Sequence, residues 1–523
     1  MKAGKKKNKR IVLLAFWFLF VVSAAVFFFA FCSMPIFPLK WSGYVGMGLL
    51  VMAMVLFLLA QWKSFPKIVL KVAEVLLSFV LIVCSCLLPS YKKKVSAVID
   101  SPKTEETCIY MDLYVMTDTY RSQHPEAFAD QPSIPQQSDS ESDLMQYGDA
   151  VFITEMTHDE KDQNYVIGTL QNKFGKNDIK TVDRATYVDA AWALYRNEGQ
   201  VLIMDRSYTD VFQDIDGLTD FAKDTRLLYT IKIDADAPEV VVSKVEPQEP
   251  FTVFIGGNDR NGELSVYGRT DVNIMITVDP GSHQMMSVSL PRDSFIPNPA
   301  MGNTPDKLTH LGVQGIRNTM DGLSSLFGIP VNDYVLINFS TFQQIIDALG
   351  GVDVNNPYAF GFTDDPNIQF EQGRIHLDGK RALLFVRERK SLPDGDFGRI
   401  MHQQLVMQGI LTKVMSPSVI TKIDSTLSAM KGTFLTNMTD ERIYEFCRQQ
   451  LSSAKDWKMV SYRLSGTTGA SHCASSGDAL LSVVFPYADQ VQYISEQLKA
   501  LTTGQSIAQG DLPAGAGTIA EAY

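Results

Sequence analysis

Residues that build metal and redox centres are scarce in this chain: 6 cysteines and 7 histidines among 523 residues. Cys32, Cys84 and Cys86 lie in or beside long apolar stretches. That leaves Cys108, Cys447 and Cys473, an odd number, so no disulfide framework is legible. Cys447 and Cys473 have no spacing that demands a pair, and there is no zinc set or redox pair. Nucleotide and hydrolase signatures are missing as well. No G-x-x-x-x-G-K-[ST], G-x-S-x-G or H-E-x-x-H occurs, and G-x-G appears only in an apolar stretch (Gly46, Gly48) and near the end (Gly515, Gly517). Basic charge is also missing from most of the chain. Residues 1–94 hold 13 Lys and Arg against the single acid Glu74, a net +12. With −11 overall, residues 95–523 carry −23. So acidic a portion is a poor polyanion binder, because nucleic-acid affinity is mostly neutralised phosphate, and a DNA-binding role is disfavoured.

What the chain has in quantity is apolar sequence at its start. Ile11 to Leu39 and Trp41 to Trp62 carry no charge, and Val72 to Pro89 carries only Glu74. Each reaches the roughly 20 residues that cross a bilayer, so spans are expected at about residues 11–32, 43–62 and 72–90. The first is too long for a signal peptide and lacks a small-residue cleavage site. Glu74, three residues after Lys71, is expected to pair with it near the interface. Lys2, Lys5, Lys6, Lys7, Lys9 and Arg10, with Lys63, Lys67 and Lys71, place the amino terminus and second connection in the cytoplasm. Lys92, Lys93 and Lys94 oppose that orientation but are outnumbered by the six charges at the start. Everything after about residue 90 is then extracellular.

The length exceeds one ordinary domain. Residues 95–245 read as an α+β accessory domain. Cys108–Thr117 and Leu227–Ile233 are predicted strands, Arg184–Arg196 a helix, and Gln131–Asp143 a polar loop. A second unit, 246–505, alternates strands (Phe251–Ile255, Val272–Val278, Met285–Leu290, Tyr334–Phe339) with helices (Lys307–Phe327, Thr341–Leu349, Asp378–Arg387, Phe397–Met415, Asp440–Leu451, Ala488–Leu501). The pattern predicts an α/β fold with a central mixed sheet between helices. Residues 506–523, rich in Gly and Ala after Gln509, read as a disordered tail.

Arg and Asp recur at strand and helix ends in this second unit. Asp259 follows the first strand, Arg269 and Asp271 open the next, and Arg292 and Asp293 end the third. Arg387 and Arg389 end a helix, and Asp396, Arg399 and Gln403 start another, with Arg399 and Gln403 on one face. Ligands of open α/β sheets bind beyond the carboxyl ends of strands. Guanidinium forks match phosphate oxygens, and paired carboxylates suit Mg²⁺. Two arginines ~6 Å apart repel by roughly 3 kcal/mol at an effective dielectric of 20, so a converged cluster requires an anion. The competing reading pairs each Arg with a nearby Asp on a solvated surface. His283, His310, His376 and His402 have no metal partners at ligand spacing and read as surface or packing residues.

The run GGND…GRTDVNIMITVD…VSLPRDSF…DKLTH…DALGGVDV…HLDGKRALLFVRERK…DFGRIMHQQ resembles the LytR-CpsA-Psr family, with ordered motifs across residues 251–415. Three spans and an extracellular accessory domain resemble its capsule-biosynthesis members. The resemblance implies a Mg²⁺-dependent phosphotransferase (Mn²⁺ the alternative) that moves capsular polysaccharide or a related glycopolymer from undecaprenyl pyrophosphate to peptidoglycan at the membrane. Other capsule-assembly membrane proteins are implied partners. Asp259 and Asp271 resemble the metal pair. Arg269, Arg292, Arg387, Arg389 and Arg399 resemble the pyrophosphate clamp, with Gln403 beside it and Lys307 at its rim. Asp396 resembles the acid that orients an arginine or serves as base. Some family members carry a second acid just before the Arg399 position, where Gly398 stands here. A pyrophosphatase, with water replacing the sugar hydroxyl, uses the same residues. A non-catalytic lipid-phosphate receptor regulating capsule assembly is an alternative of another class. A transcriptional attenuator is disfavoured by the acidic exterior and the absence of a helix-turn-helix.

Overall fold

The computed structural model of the chain describes residues 2–34, 39–62, 66–99, 108–128, 140–234, 249–258, 264–393, 395–414, 434–438, 442 and 457–517. It forms two compact units. One holds residues 1–101, 411–432 and 438–457, the other residues 102–410, 433–437 and 458–523.

In the first unit, helices Lys2–Cys32, Leu39–Gln61 and Lys67–Ile99 contain apolar spans Leu14–Cys32, Lys40–Gln61 and Lys67–Pro89, each long enough to cross a membrane. They pack through Phe20, Ala24, Leu56 and Leu70. The Trp17 indole N–H donates to the Ala53 carbonyl at 2.9 Å. The Lys67 ammonium donates to the carbonyls of Leu59 and Ala60 at 3.1 and 2.9 Å, where the second helix runs out of intrahelical donors. The expected Lys71–Glu74 pair does not form. Glu74 is fully buried with no hydrogen-bond partner for its carboxylate among the described residues. Lys71 instead sits 5.5 Å from the centre of the Phe16 ring. Its long stem lets the ammonium leave the apolar interior, which the short Glu stem does not allow.

The second unit opens with a five-stranded sheet. Its strands are β1 (Cys108–Met116), β2 (Val151–Glu155), β3 (Lys180–Arg184), β4 (Val201–Asp205) and β5 (Thr225–Asp234), in the order β3-β2-β4-β1-β5. β2 runs parallel to β3 and β4, and β1 antiparallel to β4 and β5. The helix expected at Arg184–Arg196 is shorter, Tyr187–Tyr195, because Thr186 caps it by accepting the Asp189 N–H and residues 180–184 are strand. Of the polar loop expected at 131–143, residues 131–139 lie outside the described residues, and Ser140–Met145 is a short helix.

A six-stranded mixed sheet follows. It runs Leu435–Thr436, Asp333–Asn338, β6 (Phe251–Asn258), β7 (Val272–Asp279), β8 (Gln284–Leu290), Lys458–Arg463. Every residue of β8 and all but the first of β7 are buried, as in strands covered on both faces. Helices Ile316–Phe327 and Ala488–Thr502 pack Leu323, Phe327, Ile494 and Leu498 into one core with Phe254, Met275, Met286 and Val288. Buried hydroxyls pair, Thr252 with Thr277 at 2.9 Å and Ser287 with Ser461 at 2.8 Å. The expected helix Lys307–Phe327 is broken. Pro305–Lys307 pairs with Phe295–Pro297 as strand, Leu308–Leu311 and Gly312–Gln314 are short turns of helix, and Gly315 at φ +100° separates them from Ile316–Phe327. Helices Gly379–Arg387 and Asp396–Val414 fall where expected, and the one expected at 440–451 lies outside the described residues except for residue 442. Residues read as a free tail instead touch the domain: the Gly510 N–H donates to the Tyr462 hydroxyl at 3.2 Å, and Gln490 Nε2 to the Pro513 carbonyl at 3.0 Å.

Register aligns the ends that matter. Gly257 lies opposite Val272, Asn273 opposite Leu290, and Asn258 beside Asn338. Asp271, the segment after Leu290 and the helix start at Phe339 therefore share one end of the sheet. The loop carrying Arg269 is pinned there by backbone: the Gly268 N–H donates to the Gly312 carbonyl at 2.8 Å. A Cβ on Gly312 would lie 2.4 Å from the Gly268 carbonyl oxygen. Gly312→Ala is therefore expected to cost about 1–3 kcal/mol by overpacking, read as a lower unfolding midpoint, with a fall in any activity that uses Arg269.

Candidate functional site

The turn Pro291–Ser294 leaves β8 and is fixed by the Thr309 N–H to the Arg292 carbonyl at 2.9 Å and the Val484 N–H to the Asp293 carbonyl at 2.8 Å. Arg292 is thereby aimed at the sheet end. Its Nη1 donates to Asp271 Oδ1 at 2.6 Å, and its Nε lies 3.7 Å from Asp293 Oδ2. Lys307, at the end of its short strand, reaches Asp293 Oδ1 at 3.4 Å, an ion-pair separation, and donates to Asp214 Oδ2 at 2.9 Å. Arg269 donates to the Asp210 carbonyl at 2.8 Å and lies 3.7 Å from Asp214 Oδ1. A row of alternating charge thus runs Asp271, Arg292, Asp293, Lys307, Asp214, Arg269. Arg292 and Asp293 keep about a quarter of their side chains exposed, 25% and 28%, whereas Lys307 and Arg269 are nearly closed off at 6% and 9%.

The electrostatics follow from this row. Burial works against the Arg292 charge, but Asp271 and Asp293 outweigh it and hold the guanidinium above its usual range. Burial would raise Asp214, yet His310, Arg269 and Lys307 hold it well below the usual carboxylate range. His310 is fully buried between acids, not a plain packing residue. Its Nδ1 lies 3.0 Å from Asp306 Oδ1 and 3.0 Å from the Ser475 hydroxyl, and its Nε2 3.4 Å from Asp214 Oδ2. Burial opposes its protonation, but the two carboxylates raise its pKa.

The other expected residues sit on, or just after, separate helices. Arg387 and Arg389 are exposed, with the Arg387 guanidinium 4.7 Å from the Phe339 ring centre, beside the same sheet end. Glu388 between them is buried. It accepts the N–H groups of Thr363, Arg389 and Ser391 and the Thr363 hydroxyl at 2.7–2.9 Å. Burial raises its pKa, but those donors prevail and hold it at about 2. Asp396 opens the helix that carries Arg399 and Gln403, both partly buried, and its side chain lies outside the described residues. A Cβ at Gly398 would meet Leu392 Cβ at 3.0 Å and the Tyr358 hydroxyl at 3.3 Å, so a side chain there requires its neighbours to shift. His402 is a packing residue, as expected. Its ring lies 4.0 Å from Phe385 and 4.9 Å from Phe360, and burial depresses it to about 4 against a bond to the Phe385 carbonyl.

Of the two expected metal ligands, Asp259 lies outside the described residues. Asp271 offers hard oxygen donors with Arg292 on one of them. Among the described residues no group of three His, Cys, Asp or Glu forms a metal-holding set. Cys473 is a free, buried thiol, and Cys447 lies outside the described residues. Asp214 and the role of His310 escaped sequence reasoning, because both depend on a contact between segments far apart in the chain. Glu388 was readable as the acid inside FVRER.

The LytR_cpsA_psr family model matches residues 222–499. The polyisoprenyl-teichoic acid–peptidoglycan teichoic acid transferase TagU of Bacillus anthracis is 37% identical over 206 residues, 39% of this chain and 66% of that protein. This chain therefore spans just under two thirds of that relative's length. TagU of Bacillus subtilis strain 168 is 34% identical over 231 residues, 44% of this chain and 72% of that protein. Among solved structures, Bacillus subtilis TagV superposes with a TM-score of 0.42 at 24% identity, covering 50% of this chain and 99% of TagV.

Proposed function

Since the chain belongs to the LytR-CpsA-Psr family, we propose that it is a membrane-anchored phosphotransferase working outside the cell, with its amino terminus in the cytoplasm. It moves capsular polysaccharide, or a related glycopolymer, from an undecaprenyl-pyrophosphate carrier to peptidoglycan. The names of the TagU relatives support glycopolymer transfer from a polyisoprenyl carrier. The observation that carries the reading is the Asp271–Arg292–Asp293–Lys307 row, which sets a half-open guanidinium and an ammonium at the carboxyl end of the sheet.

Phosphoryl transfer asks a protein mainly for positioning and charge neutralisation. A peptidoglycan hydroxyl oxygen bonds to the sugar-linked phosphorus. The bond from that phosphorus to the bridging oxygen breaks, and undecaprenyl phosphate leaves with the bridging oxygen and its electron pair. The hydroxyl proton passes to a base, Asp396 in this proposal. Arg292, Arg387, Arg389 and Arg399 hold the pyrophosphate oxygens, with Gln403 beside them and the nearly closed-off Lys307 and Arg269 behind. Asp259 and Asp271 would hold Mg²⁺, with Mn²⁺ as substitute, and that ion would add positive charge against the phosphates. The stored pyrophosphate bond makes a nucleotide unnecessary.

The test uses the full chain in detergent with a short-chain polyprenyl-pyrophosphate saccharide and a peptidoglycan acceptor. Glycan coupled to peptidoglycan, with polyprenyl phosphate released and both abolished by chelator, is expected. Release of saccharide phosphate without coupling would mark a pyrophosphatase. Tight binding of the lipid with no turnover would mark a receptor.

A further inference from the structure

We propose that Asp214, supplied by the 3₁₀ segment between β4 and β5 of the accessory sheet, is a positioning residue of the transfer site; the proposal rests on the phosphotransferase reading above. Its carboxylate is gripped by cations from three separate places: Lys307 Nζ at 2.9 Å, His310 Nε2 at 3.4 Å and Arg269 Nη1 at 3.7 Å. Lys307 continues to Asp293, and Asp293 to Arg292. Without Asp214, Lys307, Arg269 and His310 would repel one another in a closed space, and the ammonium would lose one of the two anions that fix it. Through Lys307 and Asp293, Asp214 sets the direction of the Arg292 guanidinium.

Asp214 is held as a brace, and the segment bearing it is tied down along its length. Residues Arg206–Asp214 form a 3₁₀ helix with Tyr208, Val211 and Phe212 buried. The Ser207 hydroxyl donates to the Val313 carbonyl at 3.2 Å, Gln314 Nε2 donates to the Tyr208 hydroxyl at 2.9 Å, and Arg269 donates to the Asp210 carbonyl at 2.8 Å. Val313 itself belongs to the apolar cluster that contains Tyr208, Val211 and Phe212. On the opposite side, His310 is fixed by Asp306, whose Oδ2 accepts the Ser475 N–H at 2.9 Å. A carboxylate fastened at both ends guides its cations and does not swing out to admit a phosphate. The accessory domain is thereby part of the site.

The full chain in detergent is compared as wild type, Asp214→Ala, Asp214→Asn and Asp214→Glu. Asp220→Ala serves as control, since Asp220 lies on the same sheet unit and pairs with exposed Lys223 at 2.5 Å. Coupling kinetics, inorganic pyrophosphate binding by calorimetry and unfolding midpoints are read together. Asp214→Ala and Asp214→Asn are expected to lower kcat by about 20-fold or more with KM changed less than about threefold, as misplacement of a positioned group does. Asp214→Glu should recover most of the rate, Asp220→Ala should match wild type, and pyrophosphate binding by Asp214→Ala and Asp214→Asn should weaken by about two- to threefold, in step with KM. Unchanged kcat with only a lower unfolding midpoint would overturn the proposal, leaving Asp214 a contributor to stability alone. Tighter pyrophosphate binding in Asp214→Ala would overturn it in favour of a displaceable internal anion. If the wild type couples no glycan, the phosphotransferase reading fails separately. Pyrophosphate binding then decides on Asp214, with weakening in support and unchanged or tighter binding against.

Discussion

Replacing Arg292 by alanine is expected to lower kcat/KM for glycan coupling by about 10²- to 10³-fold, the range found when one preorganised donor to developing charge is removed. The guanidinium is the best-exposed cation of the described row. One nitrogen is spent on Asp271 at 2.6 Å and another faces Asp293 at 3.7 Å. Its removal takes a donor from the phosphate and leaves two carboxylates facing the same anion, so the two effects reinforce each other. Arg292→Lys should rescue little, because a single ammonium cannot present two nitrogens to two acids and still offer a face to phosphate. Initial rates of coupling at several lipid concentrations measure this, with an unfolding curve of each variant beside them. A loss smaller than about tenfold in a folded variant would remove Arg292 from the reacting phosphate.

Asp306→Ala is expected to produce the largest loss of stability, about 3–5 kcal/mol, as when one partner of a buried ion pair is deleted. Asp306 is fully buried and accepts from the Lys307 N–H at 2.7 Å, the Ser475 N–H at 2.9 Å and His310 Nδ1 at 3.0 Å. Its loss strands two amides and a buried imidazole. The pH dependence has a definite sign. The pKa of His310 is raised in the folded chain above the ordinary histidine value of about 6.5, so its stabilisation is complete below that value. It fades as pH rises through the folded-state pKa. Asp306→Asn keeps an acceptor of the same shape but removes the charge, and should move that fading to lower pH. Unfolding midpoints of wild type and both variants across acid to mildly alkaline pH measure the effect. Coincident pH profiles for wild type and Asp306→Asn would show that Asp306 does not hold the proton on His310.

The elements read most readily were those with strong local signals. The three apolar stretches became helices Lys2–Cys32, Leu39–Gln61 and Lys67–Ile99. β6, β7 and β8 appear within three residues of their expected ends, because β-branched and apolar residues run unbroken between turn residues. Strands β2, β3 and β4 were missed. Each has five residues, too few to separate a buried strand from part of a helix by periodicity. The helix expected from Lys307 broke at Gly315, which has a φ of +100°, beside the close passage of the 264–271 loop over Gly312. No window around Gly315 reports that passage.

The same division holds for the site. Motif order and residue type alone determined that Arg and Asp gather at strand ends and that the chain resembles the LytR-CpsA-Psr family. Local sequence specifies which side chains stand at the end of a strand, since alternation and turn residues are local properties. Tertiary structure decided which acid meets which base. Arg292 lies between Asp271 and Asp293, Lys307 bridges to Asp214, and His310 is buried between Asp214 and Asp306. The contacts to Asp214 depend on distances of a few ångströms between segments that only the packing of two sheets brings together. Coulomb energy in a closed, low-dielectric space varies too steeply with those distances for sequence spacing to predict it.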